Sequence, residues 1–384
     1  MNVIFLSPGF PPTAPAYCAA LTAQGVTVLG IGDEELRDDR LRACALARYV
    51  VEPRMGEHQA LLDAVKALIG QYGPIDRIEC DGEHWLEAAA RLRDDLGIEG
   101  MSAATLAQQR SKLGMAKIFA KSGIPHPPGV PAADGTAARE LGRRFGYPLV
   151  LKPDVGSGSV ATFTVNDEQQ LSAALGREPW HDIVQPFITG DIVTFDGLVD
   201  RQGRIVFWTS HAYDTGIMQI RAQNLDGYYY SLREIPAALE ELGRRAVAAF
   251  AVREGFFHLE FFKQEDGSFI ALEMNLRPPG GFTPDMMNAA CEINVYELWA
   301  AVVAGRDLGD FRFERPYHTA HAGRRAGRHY RLDTTSLRRA LGEILVVERP
   351  IPPAFAATMG DMMYLLKHRE VAPLLEAIAL VQAV

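Results

Sequence analysis

Residues 256–285 read FFHLEFFKQEDGSFIALEMNLRPPGGFTPD. Two apolar runs, FFHLEFF and SFIALEMNL, flank the turn-forming cluster Gln264-Glu265-Asp266-Gly267, and this pattern predicts a β-hairpin. Side chains alternate faces along a strand, so Phe257, Leu259 and Phe261 share one face and His258 and Glu260 the other. On the second arm the same alternation sets Leu272 and Met274 on one side, Glu273 and Asn275 on the other. A carboxylate on one strand thus faces a carboxylate and an amide on its neighbour. Carboxylates about 5 Å apart are costly to bury unless a cation lies between them. Hard oxygen donors of this kind suit Mg²⁺, which keeps the rest of its octahedron for water and phosphate oxygens. Arg277, two residues past Asn275, offers a planar fork for phosphate or carboxylate. Pro278-Pro279-Gly280-Gly281 then breaks the strand. Thr283-Pro284-Asp285 reads as an N-cap with Pro at the first helical position, and a helix start here can hold an anion.

Upstream, residues 147–153 form an apolar strand that ends in Lys152-Pro153. A lysine at the end of an apolar strand is costly to bury unless phosphate pairs with it. The loop Asp154-Val155-Gly156-Ser157-Gly158-Ser159 follows, and its small residues let backbone N–H groups wrap phosphates. No GxxxxGK[ST] is present, so this is not a Walker loop. Further toward the N-terminus, strand, loop, helix and strand follow one another from residue 3 to 31 and again through residue 96. That is the opening of a parallel α/β sheet, whose ligands gather at the carboxyl ends of the strands. The 7–12 loop and Asp81-Gly82-Glu83-His84 are therefore site candidates, alongside a reading of Asp81 and Glu83 as turn and cap residues. No GxGxxG follows the first strand, which removes support for a dinucleotide fold. Residues 102–122 read as two helices meeting near Gly114. Residues 219–230 have little periodicity and carry Arg221; they line an acceptor pocket or form a surface crossover. Residues 237–253 read as an amphipathic helix and residues 286–303 as helical. The tail alternates short strands and helices, with a basic patch at Arg324, Arg325 and Arg328 that reads as solvated.

At 384 residues the chain suits two or three packed units. A hydrophobic share of 48% with 23% charged residues is that of an ordinary globular enzyme. The net charge of −9 argues against nucleic acid and anionic membrane as partners. Cys18, Cys44, Cys80 and Cys291 have no metal-ligand spacing and read as buried thiols in a reducing cytosol. With no signal-peptide pattern and no membrane-length apolar run, the expected location is cytoplasmic.

Glu260 followed by Glu273-x-Asn275-x-Arg277-Pro278-Pro279-Gly280-Gly281 resembles the metal-binding end of the ATP-grasp superfamily. The likeness is nearest to its carboxylate–amine ligases, of the L-amino acid ligase and carbamoyl-phosphate synthase large-chain kind. It covers residues 1 to about 305 and is strongest over 147–281. The resemblance implies an α/β ATP-grasp fold: a Rossmann-like preATP-grasp domain over 1–105, a helical linker over 106–124 and a small lid over 125–190. A central domain with the metal hairpin over 191–305 follows, completed by a C-terminal α/β segment over 306–384. It implies ATP as cosubstrate with Mg²⁺, Mn²⁺ being a substitute, held by Glu260, Glu273 and Asn275. Lys112 and Lys152 would touch the nucleotide phosphates, and Gly156, Ser157, Gly158 and Ser159 would cover them. The backbone of Gln185, Pro186, Phe187 and Ile188 would read adenine, and Asp191 the ribose. The family more often has Asp at Ser111, Glu at Gln185 and Glu at Asp191. Arg277 would hold the acylphosphate oxygens. The implied reaction joins a small carboxylate to a small amine, amino acids among them, with release of ADP and phosphate. Rival readings on the same scaffold are a kinase acting on a hydroxyl and a non-catalytic Mg·ATP-binding protein. The resemblance leaves a homodimer open, and with it any contact of Glu83, His211, Arg221 or the 324–328 arginines with substrate.

Overall fold

The structure is a computed structural model that describes residues 1–156, 162–176 and 182–384. Strands Asn2–Leu6 (β1), Thr27–Gly32 (β2), Arg48–Val51 (β3) and Arg77–Cys80 (β4) form a parallel sheet in the order β3-β2-β1-β4. Parallel strands are covered on both faces, which is why β1 is a continuous apolar run. Its alternate residues serve two cores. Ile4 and Leu6 pack with Leu61 and Val65 of helix His58–Tyr72, while Val3 and Phe5 pack on the opposite side with Tyr17.

Strands Val130–Pro131 (β5), Leu149–Pro153 (β6), Phe163–Val165 (β7) and Asp182–Pro186 (β8) make a small antiparallel sheet, ordered β5-β8-β6-β7. The third sheet has nine antiparallel strands. They are Asp191–Val199 (β9), Ile205–Thr209 (β10), His211–Tyr213 (β11), Tyr228–Ser231 (β12), Gly255–Lys263 (β13), Phe269–Asn275 (β14), His318–Arg324 (β15), Leu345–Pro350 (β16) and Met362–His368 (β17). Their order is β14-β13-β9-β11-β12-β15-β17-β16, with β10 also on β9. The tail strands therefore extend the sheet that carries the hairpin.

One apolar core joins the parallel sheet to this large one. Val3, Phe5 and Tyr17 meet Leu198, Phe207 and Phe256, together with Tyr296 and Trp299 of helix Val295–Val303. The Tyr17 ring sits edge-on to Phe256, Tyr296 and Trp299 at centroid distances of 6.0, 4.8 and 4.9 Å. Edge-to-face aromatic packing of this kind fixes mutual orientation as well as burying area.

Several local expectations change. The two helices after residue 102, Ala103–Arg110 and Lys112–Lys121, meet at Ser111, not at Gly114. The Ser111 hydroxyl caps the second helix by accepting the Gly114 N–H at 3.0 Å. Gly114 lies inside that helix, where a Cβ would overlap the Gln108 carbonyl oxygen. Residues 286–303 are two helices, Thr283–Cys291 and Val295–Val303, because Glu292 turns left-handed (φ 54°) and Asn294 caps the second. Thr283 is the first residue of its helix and Phe282 the cap; the Thr283 hydroxyl instead donates to Gly280 O at 2.8 Å. Residues 219–230 hold the end of helix Ile217–Gln223 and strand β12, a short helix that weak periodicity hid. The basic patch is not a solvated face. Arg324 and Arg325 are buried, and their guanidiniums donate to the carbonyls of Val381, Leu332, Leu225, Ala356 and Ala357. Arg328 pairs with Asp226 at 2.7 Å. Five donors in a rigid fork suit carbonyl oxygens where helices and loops converge.

Strand β9 pairs with β13 along all nine of its residues, and Gly197 lies opposite Phe257 in that register. A Cβ at Gly197 would overlap the backbone oxygen of Phe207 and come within 2.7 Å of the Phe257 ring. Backbone on one side and a buried ring on the other leave no room to yield. Gly197→Ala is therefore expected to destabilise the protein by about 1–3 kcal/mol, read as a lowered urea midpoint at unchanged slope.

Candidate active site

The hairpin puts the paired carboxylates in register. Glu260 on β13 lies directly across from Glu273 on β14, and His258 across from Asn275. The Asn275 amide donates to Glu273 Oε1 at 3.0 Å. One alternation differs from expectation. A bulge after Glu260 pairs Phe261 with Ala271, so Leu272 is the extra residue. Ala271 and Met274 consequently enter the apolar core with Phe257, Leu259 and Phe261, while Leu272 joins Glu273 on the cavity side. A bulge shifts the faces by one residue, and nothing in FIALEMN marks it.

Behind the carboxylates stands a buried chain that the sequence reading missed. Asp196 of β9 is fully buried, and its two oxygens lie 2.6 Å from His258 Nδ1 and 2.8 Å from His211 Nδ1. Thr194 also donates its hydroxyl to Asp196, at 2.5 Å. His258 Nε2 reaches Glu260 Oε1 at 3.0 Å. Burial alone would lower the His258 pKa, but Asp196 and then Glu260 outweigh it and raise it to about 9. Burial would likewise raise Asp196, yet the two histidines hold it at about 2. His258 is thus an imidazolium that donates from both nitrogens, fixing the Glu260 carboxylate from behind. The available signal was a polar residue at mid-strand in two apolar runs, IVTFDGLV and FFHLEFF.

A cavity of about 670 Å³ lies between the small sheet and the large one. Lys112, Lys152 and Gly156 border it on one side and Glu260 and Glu273 on another. Gln185, Pro186, Phe187, Ile188 and Asp191 line it as well. Burial lowers the Lys152 pKa to about 8; Glu273 opposes this and Lys112 adds to it. Lys112 is no free helix-face lysine. Its Nζ donates to Gly156 O at 2.9 Å, and its own N–H and that of Leu113 bind the Asp154 carbonyl and carboxylate, each at 2.9 Å. Along residues 185–188, the Phe187 N–H is engaged with Pro148 O at 3.1 Å and the buried Gln185 side chain reaches back to Pro127 O. Ser157, Gly158 and Ser159 lie outside the described residues.

Arg277 does not border that cavity. It points toward the parallel sheet, donating to Glu83 Oε2 at 3.3 Å and to Pro278 O at 2.9 Å. Arg110 holds the other Glu83 oxygen at 3.3 Å. Here a second cavity, of about 490 Å³, opens between residues 7–13, 81–85 and 277–281, with Phe10 stacked on Phe355 at its edge (5.3 Å). A narrow cleft lined by Gly156, Glu273, Asn275 and Arg277 lies between the two cavities. The sequence candidates at strand ends, Asp81, Glu83 and His84, thus line the second cavity, whereas His211 is buried in the Asp196 network. Among the described residues no three His, Cys, Asp or Glu side chains gather as a metal-binding group.

The charge on His258 makes stability depend on pH. Its folded pKa lies above the ordinary value near 6.5, so its stabilising share is whole below about pH 6.5 and is lost as pH rises through about 9. In protein free of divalent cations, His258→Gln should lower stability by up to about 3 kcal/mol at pH 6. The gap in melting temperature from the wild type should narrow by pH 9.5. A gap constant with pH would mean that His258 is buried neutral.

The ATP-grasp domain family matches residues 145–284. The chain is 25% identical over 245 residues to an L-arginine-specific L-amino acid ligase of Bacillus subtilis, a match spanning 61% of this chain and 59% of that protein. It is 28% identical over 296 residues to a D-alanine–D-alanine ligase of Desulforudis audaxviator, spanning 72% and 86%. In structure it is similar to an L-amino acid ligase from Bacillus licheniformis, with a TM-score of 0.75 at 17% identity over 98% and 95% of the two chains, a likeness of fold. With the hairpin, the lysine pair and the cavity between two sheets, these matches make the chain similar to ATP-grasp proteins over residues 145–284.

Proposed function

We propose that the chain is an ATP-dependent carboxylate–amine ligase acting on small amino acid-like substrates through an acylphosphate. One observation carries the reading. Lys112 and Lys152 face the Glu260–Glu273 pair across one cavity, and Arg277 leads from the same hairpin into a second. Cations on one wall and paired carboxylates on the other suit a polyphosphate bridged by a divalent cation.

Two carboxylates and an amide oxygen are hard donors and fit Mg²⁺, with Mn²⁺ as a substitute; Glu260, Glu273 and Asn275 would hold it. When bound, the cation supplies charge neutralisation on the transferring phosphoryl group. The protein supplies the rest. Lys112 and Lys152 bind the phosphates, and the 185–188 strand end with Asp191 holds the nucleoside. Burial of Lys152 strengthens its attraction for phosphate because little water screens it. His258 keeps Glu260 in one orientation. Arg277, braced by Glu83, stands where the acyl group passes from the nucleotide cavity to the second one, and holds the oxygen that gains charge as the amine attacks. The second cavity takes the acceptor amine.

The test is phosphate release with Mg·ATP across a matrix of amino acid pairs, run beside hydroxylamine trapping of the acylphosphate. Amino acid-dependent hydroxamate supports the ligase; a stable phosphorylated alcohol would make the protein a kinase. Glu273→Ala should lower turnover roughly a thousandfold while the fold persists. Arg277→Ala should keep affinity for a non-hydrolysable ATP analogue within about threefold and lower turnover roughly a hundredfold. Equal losses of binding and turnover would make Arg277 a nucleotide clamp.

A further inference from the structure

Asp81 directly follows β4 and borders two cavities at once. One is the second cavity described above. The other, of about 410 Å³, lies behind it between the parallel sheet and β13. Arg277 and Pro278 border both spaces too. Asp81 is 7% exposed, and among the described residues its one hydrogen bond comes from the Thr13 hydroxyl at 2.6 Å. Glu83, the neighbouring carboxylate, has both oxygens occupied by Arg110 and Arg277. Asp33 and Glu34 stand exposed on the wall of the second cavity that β2 provides.

Buried polar groups line the rear cavity. Tyr17, Arg77 and Gln109 border it, and the buried atoms Tyr17 Oη, Arg77 Nε and Gln109 Oε1 have no hydrogen-bond partner among the described residues. Three orphaned polar atoms around one space require water in it, since leaving them dry costs about 1–3 kcal/mol each. Glu79 shares β4 with this space, two residues before Asp81. Its far end is ringed by the ion pairs of Arg77 and Arg201 with Glu99 and Glu254, where Glu99 and Arg201 meet solvent.

We propose that Asp81 is the base that takes a proton from the incoming ammonium group, and that the rear cavity carries this proton through water and Glu79 to solvent. The inference rests on the ligase reading. An acylphosphate dianion and an ammonium ion give an amide, hydrogen phosphate dianion and one proton. The amine lone pair forms the C–N bond, and the acyl C–O bond breaks with its electron pair leaving on phosphate. Of the two nitrogen protons lost, one ends on phosphate and the other is the one Asp81 removes before attack. A carboxylate can do this only if its basicity is raised. Burial does that here, lifting Asp81 to about 7 against the pull of Thr13 and Arg277, with Asp285 adding to the rise. Glu79 also stands at about 7, raised by burial and by Glu254, lowered by Arg93 and Arg77. Tyr17, Cys18, Cys80 and Tyr296 also sense Asp81, and burial holds all four neutral at pH 7.

Hydroxylamine separates the roles, because it is a neutral amine at pH 7 and needs no base. Asp81→Asn should form hydroxamate within about threefold of the wild type, yet form amide from an amino acid amine at least about a hundredfold more slowly at pH 7. The deficit should shrink as pH rises and free amine accumulates. Thr13→Val keeps the carboxylate but removes the bond that lowers its pKa. It should move the acidic limb of the amide-forming pH profile upward and leave hydroxamate formation in place, which tests the idea should Asp81→Asn fail to fold. Equal loss of hydroxamate and amide in Asp81→Asn, or an unmoved limb in Thr13→Val, overturns the assignment. A wild type that forms no hydroxamate with any amino acid sinks the ligase reading itself, and this inference with it.

Discussion

The contact between β9 and β13 is the constraint on which the site depends. Nine consecutive pairs lock the two strands together, and Asp196 lies opposite His258 in that register. A slip by one residue would turn His258 and Glu260 toward the apolar core and expose Phe257, Leu259 and Phe261. The register also brings the buried carboxylate of Asp196 to the imidazolium of His258, and through it to Glu260. Full burial of Asp196 makes the pairing strict, because removing one partner of a buried ion pair typically costs about 3–5 kcal/mol. The sheet thus holds a carboxylate at the cavity wall in one orientation, and among the described residues no arginine pairs with it, which leaves its charge available to a ligand.

Arg277 shows how a strand end divides labour between two cavities. The residues before it face a cavity bordered by lysines, and those after it, 278–281, face the second. Glu83, from the turn after β4, holds the guanidinium, so the parallel sheet positions a residue of the large sheet. The shared core of Phe5, Tyr17, Phe256 and Trp299 keeps the two sheets in that relation. Without that packing the Arg277–Glu83 bond would join two bodies free to move, and the guanidinium would have no fixed place between the cavities.

The hairpin, the parallel opening sheet, the Lys152 strand and the carboxylate pair were legible in the sequence. Each rests on short-range patterns: alternation, turn residues and a charged residue ending an apolar run. Alternation determined which side of the hairpin carries Glu260 and Glu273, since a strand side chain has only two faces to choose from. The departures have equally local causes. The bulge at Leu272 and the left-handed Glu292 are single-residue events with no compositional mark.

Tertiary structure decided the remainder. It set Asp196 against His258, although 62 residues separate them, and Glu83 against Arg277, which lies 194 residues further on. It buried Arg324 and Arg325 that a charge run presents as solvated, because carbonyls from two helices and two loops converge on them. It also made Asp81 a buried carboxylate between two cavities, when Asp-Gly alone reads as a turn. Sequence periodicity reports which face a residue takes within its own element. Which partner waits on that face, and how little water reaches it, follows only when distant elements pack, and those two quantities set the charge state and reach of each group in the site.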